Sequence, residues 1–417
     1  MQVKAYDGAI QECLHGASMK ILFLSSQVPY PPNTPTRDRI FNLIKSVASS
    51  HEITLCCFVN NEPERNQLRV LLPYCYKVIP LAPRKMSNLD FLKLFFINIF
   101  SFKPISIQKN WSPSAYRDIQ EIIKTSRFDL IHCEGLEMAQ YISAVKDIPK
   151  MLSLSRIESI VQKRLAYISR SKFKRRFLIW QWHKIRRYEE FADKFIDIWV
   201  VASKADKKAL EEFLPDAWIE EIPNGIDSEI YKIEMETRGE ETKIVLPFSL
   251  QNNADEETLR QFFTQIWPIV KMKHNQAKLY VVGREQDERM KQFEKAPDVF
   301  ISEKVQDIRP IVADSRVVVV PQGKNCFMPH YILEALAMGK TVVTTSELQE
   351  DLELENGKEV VVADEPDMFA KNLVYLLDNQ DMSQHLGLRA RSVIEKKYDW
   401  KVLSNRLKNL YEMVSSK

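Results

Sequence analysis

Short runs centred on unbroken apolar stretches recur along this chain: "KILFLSS" at 20–26, "EITLCCFV" at 52–59, "RVVVVP" at 316–321 and "KTVVTT" at 340–345. Longer segments with apolar residues at helical spacing separate them. A strand with no polar alternation cannot turn one face to water, so such runs belong in parallel sheets covered on both faces by crossover helices. That alternation commits the chain to an α/β fold.

The runs fall into two sets. The first continues with "KVIPL" (77–81), "FDLIHCE" (128–134) and "DIWVVAS" (197–203), and "DRIFNLIKSVASS" (38–50) reads as its first helix. A Pro-Asn-Gly turn in "EIPNGIDSEIY" precedes the second set, "KIVLPFS" (243–249), a helix over 257–273, "AKLYVVG" (277–283), "DVFIS" (298–302), the two later runs above and "EVVVA" (359–363). At 417 residues the chain exceeds one ordinary core. Two doubly wound, Rossmann-like domains are therefore expected, at 19–225 and 226–398. In 399–417, Leu403, Leu407, Leu410 and Val414 recur at helical spacing, so this segment is expected to cross back to the first domain as a helix. Residues 1–18 carry acidic groups and no continuous apolar core; they read as a poorly ordered extension, not a signal peptide.

Composition closes off several functions. A net charge of +3 is too small to imply nucleic-acid binding. The greasiest segment, "FLKLFFINIFSF" (91–102), is shorter than the roughly 20 residues a spanning helix needs. Six cysteines form no C-x-x-C pair, which fits a reducing compartment, so the chain is expected in the cytoplasm, with peripheral contact at the inner membrane face as an extension of that reading. Only 10 glycines are present, where average usage would give about 29. Loops that cradle phosphate depend on glycine.

In open parallel sheets ligands bind beyond the carboxyl ends of the strands. His132 and Glu134 close the predicted strand at 128–134, and Gly135 lets the chain turn there. Pro329 is placed to open a helix, leaving free amides beside Lys324 and His330 as candidates for holding a diphosphate. The stretch "SRSKFKRRFLIWQWHKIRRYEEF" (169–191) sets nine basic or histidine residues around Phe177, Ile179, Trp180 and Trp182. It reads either as an anionic-membrane contact or as a long helix whose aromatics join the core.

Eight elements occur in order: "VPYPPN", "FDLIHCEGLEMAQY", "RIESIVQKRLAY", "IPNGID", "NNADEE", "VVGRE", "VQDIRPIVADSRVVVVP" and "ILEALAMGK". Together they resemble the retaining family 4 glycosyltransferases, in particular the subgroup that assembles exopolysaccharide and lipid-linked glycans. The resemblance implies a GT-B fold, two Rossmann-like domains facing a cleft, the first for acceptor and the second for a nucleoside-diphosphate sugar as co-substrate, with no metal and no other cofactor. It implies that Glu334, the second glutamate of the family's E-x7-E motif, grips the ribose, with Lys324, Asn325 and His330 on the donor. It places His132 and Glu134 beside the transferred sugar, and Arg39 and Glu158 on the acceptor side.

The sequence departs from the family at Ser155 and Arg156, where histidine and asparagine are usual, and at four further places. Cys326 stands where the first glutamate belongs, Leu246 where the loop after "KIVL" should be glycine-rich, and Pro35 and Glu303 where relatives carry glycine. Two readings stay open on sequence grounds. One is an active, retaining, hexosyl-type transferase working on a glycan or lipid-linked acceptor. The other is a non-catalytic relative that serves a protein partner structurally or as a regulator.

Overall fold

The computed structural model describes residues 6–7, 18–84, 86–169, 171–232, 242–248, 253–283, 286–321 and 330–416. The chain forms two compact units, one of Met1–Asn224 with Leu403–Lys417 and one of Gly225–Val402. The boundary falls inside the Pro-Asn-Gly turn.

The first unit is built on eight strands: β1 (Tyr6–Asp7), β2 (Lys20–Ser25), β3 (Glu52–Phe58), β4 (Lys77–Leu81), β5 (Leu130–Glu134), β6 (Lys150–Leu154), β7 (Ile198–Val201) and β8 (Ile219–Glu221). Their spatial order is β1-β4-β3-β2-β5-β6-β7-β8. All described pairings are parallel except β1 with β4. Strand order reverses between β2 and β5, and Ile21 to Leu24 in β2 have no exposure at all. That reversal is the topological switch point at which a doubly wound sheet opens a crevice.

Helix α1 (Pro35–Val47) follows β2, started by Thr34, whose hydroxyl accepts from the Arg37 N–H, and by Pro35 in the first turn. Later come α2 (Asn88–Phe100), α3 (Glu158–Ile168) and α4 (Lys172–Asp193).

The second unit carries six strands: β9 (Lys243–Phe248), β10 (Lys278–Gly283), β11 (Val299–Ser302), β12 (Val317–Val320), β13 (Thr341–Thr344) and β14 (Val361–Val362). They are ordered β11-β10-β9-β12-β13-β14 and are parallel throughout. Here the reversal lies between β9 and β12. Helix α5 (His330–Ala337) follows β12, and α6 (Gln380–Lys397) packs on its end. Gly339 adopts φ +66° to end α5, donating to Leu336 O while Lys340 donates to Ala335 O. Gly387 of α6 lies so close that a Cβ would come within 1.9 Å of the Gly339 carbonyl oxygen.

Helix α7 (Trp400–Ser415) ends the described chain. From Leu403 on it belongs to the first unit, with Leu403, Leu407, Leu410 and Val414 at 3% exposure or less. At about 1.5–3 kcal/mol for each fully buried aliphatic side chain, that stripe holds the segment in place.

Two features differ from expectation, and a third from the family pattern. Strands β6 and β8 carry no continuous apolar run: "KMLSL" begins with a lysine whose ammonium donates to Ile148 O. The helix expected at 257–273 is divided into Asn253–Gln261, a π turn at Phe262–Ile266 and Trp267–Lys273. Pro268 explains the break, because its ring displaces the preceding turn. Finally, β9 bears out the strand read at 243–249 and runs to Phe248, so Leu246 and Pro247 lie inside it, where the family pattern places a loop; β9 pairs with β12 only through Val245, so on that side the proline removes no ladder bond.

Candidate functional site

At the switch point of the first unit a cavity of about 380 Å³ opens between the ends of β2, β5 and β6. Ser26 and Gln27 line it after β2, Glu134, Gly135 and Glu137 after β5, and Ser155, Arg156 and Glu158 after β6. Each strand end thus delivers polar groups to one hollow, as the sheet topology dictates.

Glu134 is 3% exposed and faces Arg39 of α1, with Arg39 Nε 3.7 Å from its Oε1. Arg39 is itself 1% exposed and donates to Ile222 O at 2.8 Å, Asn224 Oδ1 at 3.2 Å and Ser153 Oγ at 3.4 Å. The guanidinium is therefore a fixed clamp. Burial pushes the Glu134 carboxyl up to about 7, opposed by Arg39 and the Ser153 hydroxyl. Its Oε2 makes no hydrogen bond. That oxygen is buried, 3.9 Å from His132 Nε2, while the residue as a whole lines the cavity with a carboxyl that titrates near neutrality.

Gly135 takes φ +97°, and the Glu137 carboxylate folds back over it, so close that a Cβ at 135 would lie 2.8 Å from both carboxylate oxygens. Glu137 thereby joins the same wall. Glu158 opens α3 and accepts from Ser106 Oγ at 3.0 Å. Burial, and after it the Glu137 carboxylate, pushes the Glu158 acid above the usual range. Three carboxyls converge on one hollow.

Behind them stands a fourth. Glu189 of α4 has no exposure and accepts from the Ser159 N–H at 3.2 Å, capping α3 from another helix and so fixing Glu158. Burial pushes its carboxyl up to about 8 from an ordinary 4.5. An acid whose pKa is higher folded than unfolded takes up a proton on folding, so its contribution is full below about 4.5 and is lost as pH rises towards about 8. Glu189→Gln keeps the carbonyl that receives Ser159 and removes the ionisation. The expected gain is about 3 kcal/mol at pH 8, after about 1 kcal/mol is lost to the unpartnered amide, and about zero at pH 5. Urea unfolding at the two pH values measures it.

His132 does not belong to this wall. It is fully buried in β5, its ring 4.4 Å from that of Phe23, and Nδ1 pairs with the Tyr411 hydroxyl of α7 at 2.5 Å. Burial, then Arg39, drives its pKa down to about 3, so the ring is neutral. Its Nε2 lies 3.9 Å from Glu134 Oε2, so the ring backs that carboxyl from inside the unit while Tyr411 of α7 covers its other nitrogen. Arg39 likewise reaches the site through Glu134 and not directly.

In the second unit Glu334 lies on α5 at 1% exposure, in a helix otherwise buried through Ile332, Leu333, Ala335 and Leu336. Residues 249–252 and 322–329, with Lys324, Asn325 and Cys326 among them, lie outside the described residues; of His330 only the backbone is described. Three departures from the family pattern have local explanations. Pro35 opens α1, Leu246 is core at 1% exposure, and Glu303 Oε1 accepts from the Asp287 N–H at 2.8 Å.

Sequence reasoning missed Glu137 and Glu189. The signal for the first was a carboxylate two residues beyond a turn glycine. For the second it was an acid in register with Ile185 on the buried face of a basic helix.

Comparison with known proteins adds three findings. Residues 39–230 match the family model described as Glycosyltransferase Family 4, and 249–379 match Glycosyl transferases group 1. An uncharacterized 44.6 kDa protein in the cps region of Klebsiella pneumoniae is 19% identical over 396 residues, covering 92% of this chain and 97% of that protein. Among solved structures, sucrose-phosphate synthase from Thermosynechococcus elongatus superposes with TM-score 0.69 at 14% identity over 95% of this chain and 99% of that one. Anabaena Alr3699/HepE in complex with UDP and glucose gives 0.65 at 15% identity over 94% and 99%.

Proposed function

We propose, from the premise that this chain carries two glycosyltransferase domains on Rossmann-like units matching GT-B enzymes, that it transfers a hexosyl group from a nucleoside-diphosphate sugar to a glycan or lipid-linked acceptor with retention of configuration. The observation that carries the proposal is Glu334, a carboxylate at 1% exposure on the helix that follows the switch-point strand of the second unit. A ribose offers two hydroxyls that such a group can receive. Lys324, Asn325, His330 and the first amides of α5 would then meet the diphosphate, stabilising the charge that builds on the leaving group. Glu134, Glu137 and Glu158 in the first unit would receive acceptor hydroxyls.

Two comparisons support this reading. Alr3699/HepE was solved with UDP and glucose, and the Klebsiella relative lies in a cps region, which fits polysaccharide assembly. The non-catalytic alternative drew on Pro35, Leu246, Glu303 and Cys326. The local roles of the first three remove most of its support.

Incubation with uridine, guanosine, adenosine and cytidine diphosphate sugars, with and without short glycan and polyprenyl-linked acceptors, tests the proposal. Release of nucleoside diphosphate from one donor is expected, with a product whose anomeric proton shows the donor's configuration by NMR. Inversion would overturn the retaining assignment, and no release from any donor would overturn transferase activity.

A further inference from the structure

Helix α2 is apolar on almost every side, yet among its described side chains the fold buries only Leu94 and Asn98. Leu89, Leu92, Phe96, Ile97, Ile99 and Phe100 are exposed, Phe100 at 93%. A contiguous patch of this kind on a protein surface marks a contact. Stacking of Phe95 on Phe177, ring centroids 5.6 Å apart, joins it to the start of α4. There Phe173, 85% exposed, projects among the exposed Lys172, Lys174, Arg175 and Arg176. No acidic residue occurs from Ser171 to Tyr188.

Beside α2 lies a hollow of about 340 Å³ lined by Arg84, Lys93 and Lys103. The Lys103 ammonium sits 5.1 Å over the Trp111 ring, and burial lowers its pKa. The one acid in the lining, Asp90, is committed to the capping box with Ser87. The hollow is thus a cationic cup at the rim of an apolar face.

We propose that this face seats on an anionic phospholipid membrane. The apolar side chains of α2 enter the boundary between headgroups and acyl chains, a headgroup phosphate enters the cup of Arg84, Lys93 and Lys103, and the basic start of α4 lies along the surface. Charge selects this occupant over a second copy of the chain, which would set the same cations against themselves. No described helix is long and apolar enough to cross the membrane, so the contact is interfacial. The proposal does not depend on which sugar is transferred, or on whether any is.

Flotation of the full chain with vesicles of phosphatidylcholine alone, or mixed with phosphatidylglycerol, tests it. Flotation is expected with the mixed vesicles, weakened by salt. Phe96→Ser with Ile97→Ser and Phe100→Ser should lower partitioning at least tenfold, while thermal unfolding stays unchanged because these side chains are already in water. Lys172→Gln, Lys174→Gln, Arg175→Gln and Arg176→Gln should each weaken it about fivefold. Failure to float with mixed vesicles, or equal flotation of the triple variant, overturns the proposal. So does a dimer in sedimentation velocity that requires Phe96 and appears without vesicle binding; that outcome would assign the face to self-association.

Discussion

Replacing Arg39 with alanine is expected to cost the first unit about 3–5 kcal/mol, the usual result of removing one partner from a buried charged pair. The size follows from what the guanidinium leaves behind. Ile222 O loses a donor at 2.8 Å, Asn224 and Ser153 lose theirs, and Glu134 keeps a buried carboxyl with no cation at 3.7 Å. The loss should grow with pH. Arg39 is the strongest influence holding the Glu134 carboxyl down, and even so that carboxyl is pushed up to about 7. At pH 6 it is protonated with or without Arg39, so only the hydrogen bonds are lost. Above pH 7 the parent ionises it against a cation, whereas the variant must keep it protonated or bury a lone charge. Arg39→Lys should recover only part of the loss, since an ammonium cannot span Ile222, Asn224 and Ser153 together. Urea unfolding at pH 6 and 8 separates these cases: an equal loss at both would show that Arg39 acts through its hydrogen bonds and packing and not through the charge of Glu134.

The second large effect concerns Glu334. If it holds the ribose, Glu334→Ala removes a charged acceptor from two hydroxyls, at about 1.5–3 kcal/mol for each hydrogen bond to a charged group. Nucleotide affinity should fall at least a hundredfold. Thermal unfolding of the variant without nucleotide reads separately what the carboxylate contributes to α5, where it lies at 1% exposure. Glu334→Gln keeps the shape and one carbonyl oxygen, and should retain an intermediate affinity. That ordering distinguishes a ligand-binding carboxylate from a structural one, whose removal would alter stability and leave the nucleotide response intact.

How much of this was legible in the sequence follows from which forces are local. Continuous apolar runs at β2, β3, β9, β12 and β13 disclosed both sheets, because a strand buried on both faces has no other way to read. Strand β6 was invisible: Lys150 and Ser153 interrupt it, and their reasons for being there lie elsewhere, in Ile148 O and Asp197 for the lysine and in Arg39 for the serine. The surroundings of His132 were hidden for a similar reason. Residues 132 and 134 share one side of β5, but only in three dimensions does Tyr411 of α7, 279 residues away, cover the first. At Leu246 the apolar pattern read the strand and the family resemblance read a loop; β9 keeps its partner β10 through Phe248, as the pattern has it. Pattern reasoning located the ends of strands and could not see what packs on them.

The central claim, a nucleoside-diphosphate sugar held by Glu334, is tested most directly without knowing the acceptor, by thermal unfolding and calorimetric titration of the full chain with uridine, guanosine, adenosine and cytidine diphosphates. One of them is expected to stabilise the protein, by about 1.4 kcal/mol when its concentration is tenfold above Kd, and to lose that effect in Glu334→Ala. No response to any of the four, or a response that survives Glu334→Ala unchanged, would contradict the account.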